Sequence, residues 1–292
     1  MKFSGHDSFI CKNLWLRKGY DFVHKKGKSF NNELAVVDLG VGKNMVNSIN
    51  HWLNSFGIVN KDGITDIGHY LFNNNTGKDP YLESIGSIWL LHYYLIKTNT
   101  ASIYNLFFNE FRTNRATFTK QQLADFIVRK LNAIEKNGIN PNTINADISV
   151  FIRNYLNPEL NNKKVDIEDE FSSLLIDLQL MDSYQSENAL GENVDWYSVE
   201  GNLRIELPWQ IVLFCILDNN SYGKSIPFSE LLNSFNSPGN VFVLNEEGLY
   251  YKIEDMVKHF RKEFVYSESA GIKELQIKRQ LNKWEVLNEY YN

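Results

Sequence analysis

Gly40 is the residue that most restricts what this chain can fold into. It stands four residues after Val36 and directly before Val41, with Val46 and Ile49 following. A small apolar residue, a glycine four positions on, an apolar plug and two apolar residues at helical spacing make the buried pattern of a helix-turn-helix. Glycine takes φ > 0 without steric cost, which a tight turn between crossing helices requires. In this register Lys43, Asn44, Asn47, Ser48 and His51 fall on the outer face of the second helix. That face enters the major groove in DNA-binding proteins built this way. Asn bonds adenine bidentately and Lys meets guanine or phosphate, so the side chains suit the task. An ordinary helical hairpin in a core carries the same apolar pattern, so the flanking residues must decide.

They favour a wing. Trp52, Leu53 and Phe56 continue the apolar face of the second helix, and Gly57 stands where a C-cap glycine ends it. Ile58-Val59, Asn60-Lys61-Asp62-Gly63 and Ile64-Thr65 predict a short hairpin with an Asp-Gly turn. Thr65 or Asp66 then caps a further helix through Ile67, Tyr70 and Leu71. Two helices, a hairpin and a helix predict a winged helix-turn-helix at about residues 30–75, with Lys61 at the wing tip facing phosphate or the minor groove. Gly40-Val-Gly-Lys43-Asn44 does not end a phosphate-binding loop. That motif needs glycine at position 37 and a hydroxyl at 44, where this chain has Val37 and Asn44.

The net charge of −5 counts against a DNA binder until it is divided along the chain. Residues 1–140 carry 17 Lys and Arg against 11 Asp and Glu, whereas residues 141–292 carry 13 against 24. The basic part contains the helix-turn-helix, and local charge governs phosphate contact. The acidic part is expected to meet protein or to stay away from the duplex. Hydrophobic content of 43% is that of a globular chain, and no apolar run is long enough for a membrane span. Met1 to Asp7 leads into polar residues without a secretory apolar stretch, and Cys11 and Cys215 have no metal or redox spacing. A reducing cytoplasm is the expected compartment, with no membrane partner.

Along the chain, a first helix with Leu14, Leu16, Tyr20 and Phe22 on one side presents Lys12, Arg17, Lys18, Lys25, Lys26 and Lys28 on the other. Arg17 and Lys18 join the DNA-contact candidates. Asp79-Pro80 starts a helix continued by the apolar run Ser87 to Ile96. Helices are expected at about 119–136 and 142–156, capped by Thr119 and Asn142. After Asn157-Pro158 the character changes, which divides the chain into a basic region 1–157 and an acidic α+β region 158–292. The second region is expected to hold a helix at Phe171 to Leu180, a buried segment from Pro208 to Leu217, and a helix from Phe228 to Phe235. Next come a β-prone Val241 to Leu244 and a helix from Leu249 to Phe260, then strands Phe264 to Tyr266 and Ile272 to Ile277 around Ala270-Gly271. Helix, helix and strand pair suggest a second winged-helix-like module. The fold class is therefore mainly α with small β-hairpins.

Several strings, in fixed order, resemble the SspB-like family, a domain of unknown function (DUF 4007). They are Gly5-His-Asp-Ser-Phe9, Leu39-Gly-Val-Gly-Lys-Asn-Met-Val46, Trp52-Leu53 with Phe56-Gly57, Thr65 with Gly68, and Asp79-Pro-Tyr-Leu-Glu83. Trp89-Leu-Leu-His92, Phe108-Asn-Glu-Phe111 and Ser237-Pro-Gly-Asn-Val-Phe242 complete the set. The first string departs, with Asp7-Ser8 where the family has Glu-Thr. The resemblance implies a bacterial DNA phosphorothioation system for defence against phage, in which sulfur replaces a non-bridging phosphate oxygen. It implies partners as well: a cysteine desulfurase, an ATPase and a sulfur transferase. It further implies DNA binding and strand nicking, with Mg or Mn as the cofactor if nicking is intrinsic.

Residues that could cleave a phosphodiester are few. Asp166-Ile-Glu168 supplies paired acids, but Glu170 stands where a metal-dependent nuclease needs lysine, so a solvated loop is the simpler account. His6-Asp7 is the catalytic candidate, because a His beside a carboxylate can act as a base or share a metal. The same string can equally be a turn that caps the first helix. Glu83, His92 and Glu110 are the reserve set, although His92 on an apolar helix reads as a satisfied core histidine. Arg153 reads as a surface or ion-pair arginine. The expectation is a DNA-binding component of the phosphorothioation system that nicks DNA. The alternatives are a non-catalytic adaptor or transcriptional regulator, and a scaffold that never touches DNA. A homodimer is compatible with each.

Overall fold

The computed structural model describes residues 1–25, 29–134, 140–157, 173–187 and 191–292. The acids Asp166, Glu168 and Glu170, and the lysines Lys26 and Lys28, lie outside the described residues. The fold is mostly helical with small antiparallel sheets. Helix α1 (Trp15–His24) is followed by α2 (Ala35–Leu39) and α3 (Lys43–Ser55), the hairpin β1 (Val59–Asn60) and β2 (Gly63–Ile64), and α4 (Asp66–Phe72). Then come α5 (Ile85–Thr98) and α6 (Ser102–Leu106), which runs through a π-helical turn (Phe107–Phe111) into α7 (Arg112–Asn114).

Strand β3 (Thr117–Phe118) precedes α8 (Lys120–Ile134) and α9 (Pro141–Tyr155). Thr119 and Gln122 cap α8 reciprocally, Thr119 Oγ1 accepting from the Gln122 N–H and Gln122 Oε1 from the Thr119 N–H. The cap of α9 is Asn140, not Asn142, and Pro141 sits at its first position. Beyond a single 3₁₀ turn (Ile176–Leu178) lie β4 (Asp182–Glu187) and β5 (Asn193–Ser198), which the sequence pattern does not predict. Strand β5 pairs with both β4 and β3, so the central sheet has the order β3-β5-β4.

The last part comprises α10 (Trp209–Asp218), β6 (Ser225–Pro227), α11 (Phe228–Asn233), α12 (Pro238–Val241) and α13 (Glu246–His259). Strands β7 (Phe264–Ser269) and β8 (Ile272–Ile277) and helix α14 (Lys283–Tyr291) complete it. Its sheet has the order β6-β8-β7. The β7–β8 turn puts both Ala270 (φ 51°) and Gly271 (φ 80°) in the left-handed region, as a two-residue hairpin loop requires. Val241 to Leu244 is not a strand. Ser237 caps a short helix there with Pro238 at its first position, and Val243 then turns left-handed.

Helix α5 organises the interior. Ten of its fourteen residues are buried, on all sides of the helix, which only a surrounded helix can sustain. It starts at Ile85, later than Asp79-Pro80 suggests. Asp79 instead accepts hydrogen bonds from the Glu83 and Ser84 N–H groups and from Ser87 Oγ, holding the approach to the helix. Helix α5 packs against α3, α6, α10 and α12. His92 at its centre is fully buried, with Nε2 donating to the Val241 carbonyl and Nδ1 accepting from Tyr155 Oη. Burial, against the backbone bond to Val241, holds its pKa down at about 3. It is a neutral core histidine.

Asp218 at the end of α10 fastens this core to the C-terminal helix. Its carboxylate accepts from Tyr93 Oη and pairs with Lys97 of α5 and Lys283 of α14. Residues on both sides of position 157 share one apolar core. The division of charge along the chain is therefore a property of the surface. Asp218→Ala strips a buried tyrosine hydroxyl of its acceptor and should cost about 1–3 kcal/mol. The check is the urea midpoint, and a midpoint equal to wild type would show that the three partners find water instead.

Candidate nucleic-acid interface

The turn between α2 and α3 forms as the sequence pattern requires. Gly40 is left-handed at φ 61° and ends α2, its N–H donating to the carbonyls of Val36 and Val37. No atom lies within 4 Å of where its Cβ would be, so backbone conformation alone demands glycine here. The Val41 N–H donates to the Val36 carbonyl at 3.3 Å, closing the turn. Val46, Ile49, Trp52 and Leu53 are buried and bring α3 against α1. In the hairpin, Val59 faces Ile64 and Asn60 faces Gly63, which leaves Lys61-Asp62 as the loop. The Asp-Gly pair is thus not central to the turn. Asn60 Oδ1 accepts from the Asp62 N–H, and Gly63 takes φ 121° within the strand. Thr65, not Asp66, caps α4 by accepting from the Gly68 N–H.

The outer face of α3 is smaller than the sequence suggests. Lys43, Asn44 and Asn47 are exposed, as is Lys61 in the hairpin. Ser48 is fully buried and belongs to the inner face. His51 is covered by the N-terminal segment, where a Cβ on Gly5 would approach its Nδ1 to 2.6 Å. Two basic candidates are committed elsewhere. The Arg17 guanidinium pairs with Asp21 and donates to the Phe72 carbonyl and to Asn74, tying α1 to the end of α4. Lys18 is exposed, but its ammonium donates to the Leu39 carbonyl at 3.1 Å, where a cation suits the end of α2.

His6 and Asp7 part company. His6 is buried and turns inward, its Nε2 3.0 Å from Asp147 Oδ1, whereas Asp7 is exposed. The His6 ring stacks on Trp52 and meets His51 edge-on. Its Nδ1 accepts from the Ser8 N–H at 3.2 Å, which assigns the ring proton to Nε2. Asp147 also accepts from the Ser4 N–H with both oxygens, at 2.9 and 3.0 Å. The loop departs from ordinary backbone at Ser4, Gly5, Asp7 and Ser8, all with positive φ. Strain of about 1–3 kcal/mol per residue persists only where the surroundings enforce it. Here Asp147, Trp52 Nε1 on the Phe9 carbonyl, Arg153 on the Ser8 carbonyl and Asn154 on the Cys11 N–H do so.

Asp147 escapes sequence reasoning, although a signal is present. It interrupts the apolar face Ile144, Ile148, Phe151 of an amphipathic helix, and a carboxylate on a buried stripe needs a partner. Of the reserve set, Glu110 pairs with Lys130, Glu83 is exposed and His92 is in the core, so the three do not meet.

The turn and the covered histidine each make a measurable claim. Gly40→Val should cost about 1–2 kcal/mol, the penalty of a side chain in the left-handed region, and Gly40→Asn less. A Gly40→Val melting temperature equal to wild type would mean the turn is built differently. The second claim concerns pH. Burial, and then the neighbouring His6, lower the His51 pKa from 6.5 to about 4. Between these values the unfolded chain binds a proton that the folded chain does not. Stability is therefore complete above the unfolded value and declines as pH falls through the window. Urea midpoints between pH 7 and pH 4 should fall less steeply in His51→Gln than in wild type. Parallel curves would show that His51 titrates normally.

The geometry agrees with what the chain resembles. No curated protein matches it. Among solved structures, an SspB crystal structure aligns with a TM-score of 0.83 at 25% identity, covering 99% of this chain and 88% of that one. A magnesium ion-bound SspB crystal structure aligns with a TM-score of 0.82 at 26% identity and the same 99% and 88% coverage. The family described as protein of unknown function, DUF4007, matches residues 3–291, and this chain belongs to it.

Proposed function

We propose that the chain is the DNA-binding component of a DNA phosphorothioation system and that residues 30–75 act as a winged helix. The observation that carries this reading is the exposed row Lys43, Asn44 and Asn47 on α3, with Lys61 exposed in the adjoining hairpin. Helix α3 also begins at Gly42 without a side-chain cap, which leaves its first N–H groups for an incoming phosphate. The family resemblance supplies the system: a cysteine desulfurase, an ATPase and a sulfur transferase are the proposed partners. The His6 loop serves as a buttress in this reading. It covers His51, steadies α3, and so limits the open stretch of the outer face to its first two turns.

A second reading, that the chain itself nicks DNA, is favoured by the strained loop and by the His6–Asp147 pair beside the reading helix. Magnesium does not fit that pair. Asp147 is 3% exposed and its oxygens are already taken up by Ser4 and His6, whereas magnesium asks for several open oxygen ligands. Among the described residues no group of three or more His, Cys, Asp or Glu is arranged to hold a metal ion.

Fluorescence anisotropy with a labelled duplex tests the first reading. Lys43→Ala and Asn47→Ala should weaken binding without changing the melting temperature. Loss of the Lys43 phosphate contact should also flatten the log–log salt dependence by about one unit. Unchanged affinity in both variants would remove α3 from the duplex. Conversion of supercoiled plasmid to open circle, with and without magnesium, tests the second. His6→Ala should then abolish conversion while leaving duplex affinity near wild type, and no conversion by wild type would leave the adaptor reading alone.

A further inference from the structure

The π-helical turn Phe107–Phe111 delivers Arg112 to the seam between the middle of the chain and its C-terminal part. Such turns recur at functional sites, where the added residue re-aims the side chains of the next turn. Most of the Arg112 guanidinium is removed from water, yet its one acceptor among the described residues is Asn240 Oδ1, 3.4 Å from Nη2. Its Nε is buried and has no partner. Asn240 is itself 2% exposed, and its amide nitrogen donates to the Asn233 and Ser234 carbonyls at 3.0 and 2.9 Å. Those two bonds fix the amide with its oxygen toward the arginine. The fork is thus oriented by the protein and left without a counter-charge.

A second guanidinium aggravates the deficit. Arg204 lies near enough to repel Arg112, and its own Nε is likewise buried without a partner. Its remaining donors go to the carbonyls of Gln179 and Glu200, and the carboxylate that offsets its charge is Asp182, which leaves none for Arg112. Burial first, and Arg204 second, draw the Arg112 pKa down to about 10. Arg112 lines a cavity of about 350 Å³ together with the exposed Arg115, Asn114, Asn233 and Asn245. The one carboxylate in its wall, Glu246, is engaged by Lys273 at 3.3 Å. Oriented and uncompensated guanidinium beside a polar cavity has the character of a receptor for a planar or tetrahedral oxyanion.

We propose that this cavity is a phosphate-binding site in which Arg112 and Arg115 hold the oxyanion. Phosphate supplies the counter-charge that Arg112 lacks. The cavity accommodates a phosphorylated group larger than phosphate, either a phosphodiester of nucleic acid or a free phosphorylated molecule.

The test uses the full chain with inorganic phosphate as the probe, read by calorimetry and by thermal denaturation. Wild type should bind and melt higher with phosphate. Arg112→Met should bind at least about ten-fold more weakly. In phosphate-free buffer it should melt at or above wild type, since an uncompensated buried charge has been replaced by an apolar chain of similar length. Arg115→Ala, at an exposed position, carries the same test without touching the core and should weaken binding several-fold. A short single-stranded oligonucleotide as competitor separates the sources. Displacement of phosphate assigns the site to nucleic-acid backbone, and phosphate binding without displacement assigns it to a free phosphorylated molecule. No phosphate response in wild type, or an equal response in both variants, overturns the proposal.

Discussion

A helix that is apolar on every side can exist in water only when other elements enclose it, and α5 imposes that condition on the rest of this molecule. Helix α3 covers it from the N-terminal part, α6 from the middle, and α10 and α12 from the C-terminal part. Each large apolar side chain fully buried there contributes about 1.5–3 kcal/mol, so no single neighbour is dispensable. The ionisable groups around α5 are matched individually, although Trp89 Nε1 on the same helix has no partner among the described residues. His92 satisfies both nitrogens, and Asp218 gathers a tyrosine and two lysines. Buried charge is tolerated where it is paired. Arg112, which has no carboxylate partner among the described residues, departs from that rule.

The same logic accounts for the position of α3. Helix α3 offers one face to α1 and α5 and another to the strained loop 4–11, so its position is fixed from two sides. Only Lys43, Asn44 and Asn47 remain outward. In the proposed DNA-binding role such preorganisation would lower the ordering cost, since few side chains must be immobilised. A loop that carries left-handed non-glycine residues is costly by itself, and here the cost is offset by a buried His–carboxylate bond and a ring stack.

Much of this is legible in the residues, and the failures have physical causes. Gly40, Val41 and the apolar spacing of α3 yield the turn because left-handed backbone and helical periodicity are local properties. Most helices are legible for the same reason. His51 is misplaced because the loop that packs on it is remote in sequence, and Ser48 because the buried face of α3 is wider than its apolar residues mark out. His6 pairs on paper with its neighbour Asp7 because adjacency is visible in sequence, whereas Asp147, 141 residues away, is not. Strands β4 and β5 escape because β4 is polar on both faces, so no alternation betrays it. Val241 to Leu244 looks β-prone, but Ser237-Pro238 is a helix start and overrides propensity.

The long-range contacts of the N-terminal loop bear on how the chain is made. The Cys11 N–H finds its acceptor on Asn154, 143 residues later, and Ser84 meets Tyr290 across 206 residues. At a synthesis rate of about 5–20 residues per second, some ten seconds or more separate the emergence of such partners from the ribosome. During that interval α3 can form its turn with α2, but the loop that covers Trp52 and His51 lacks its anchors Asp147 and Asn154, and the faces of α5 that α10 and α12 cover wait longer still. The nascent chain therefore leaves a helix that is apolar on every side incompletely enclosed until its last residues appear, which makes growing chains of this protein natural clients for chaperones that shield apolar surface.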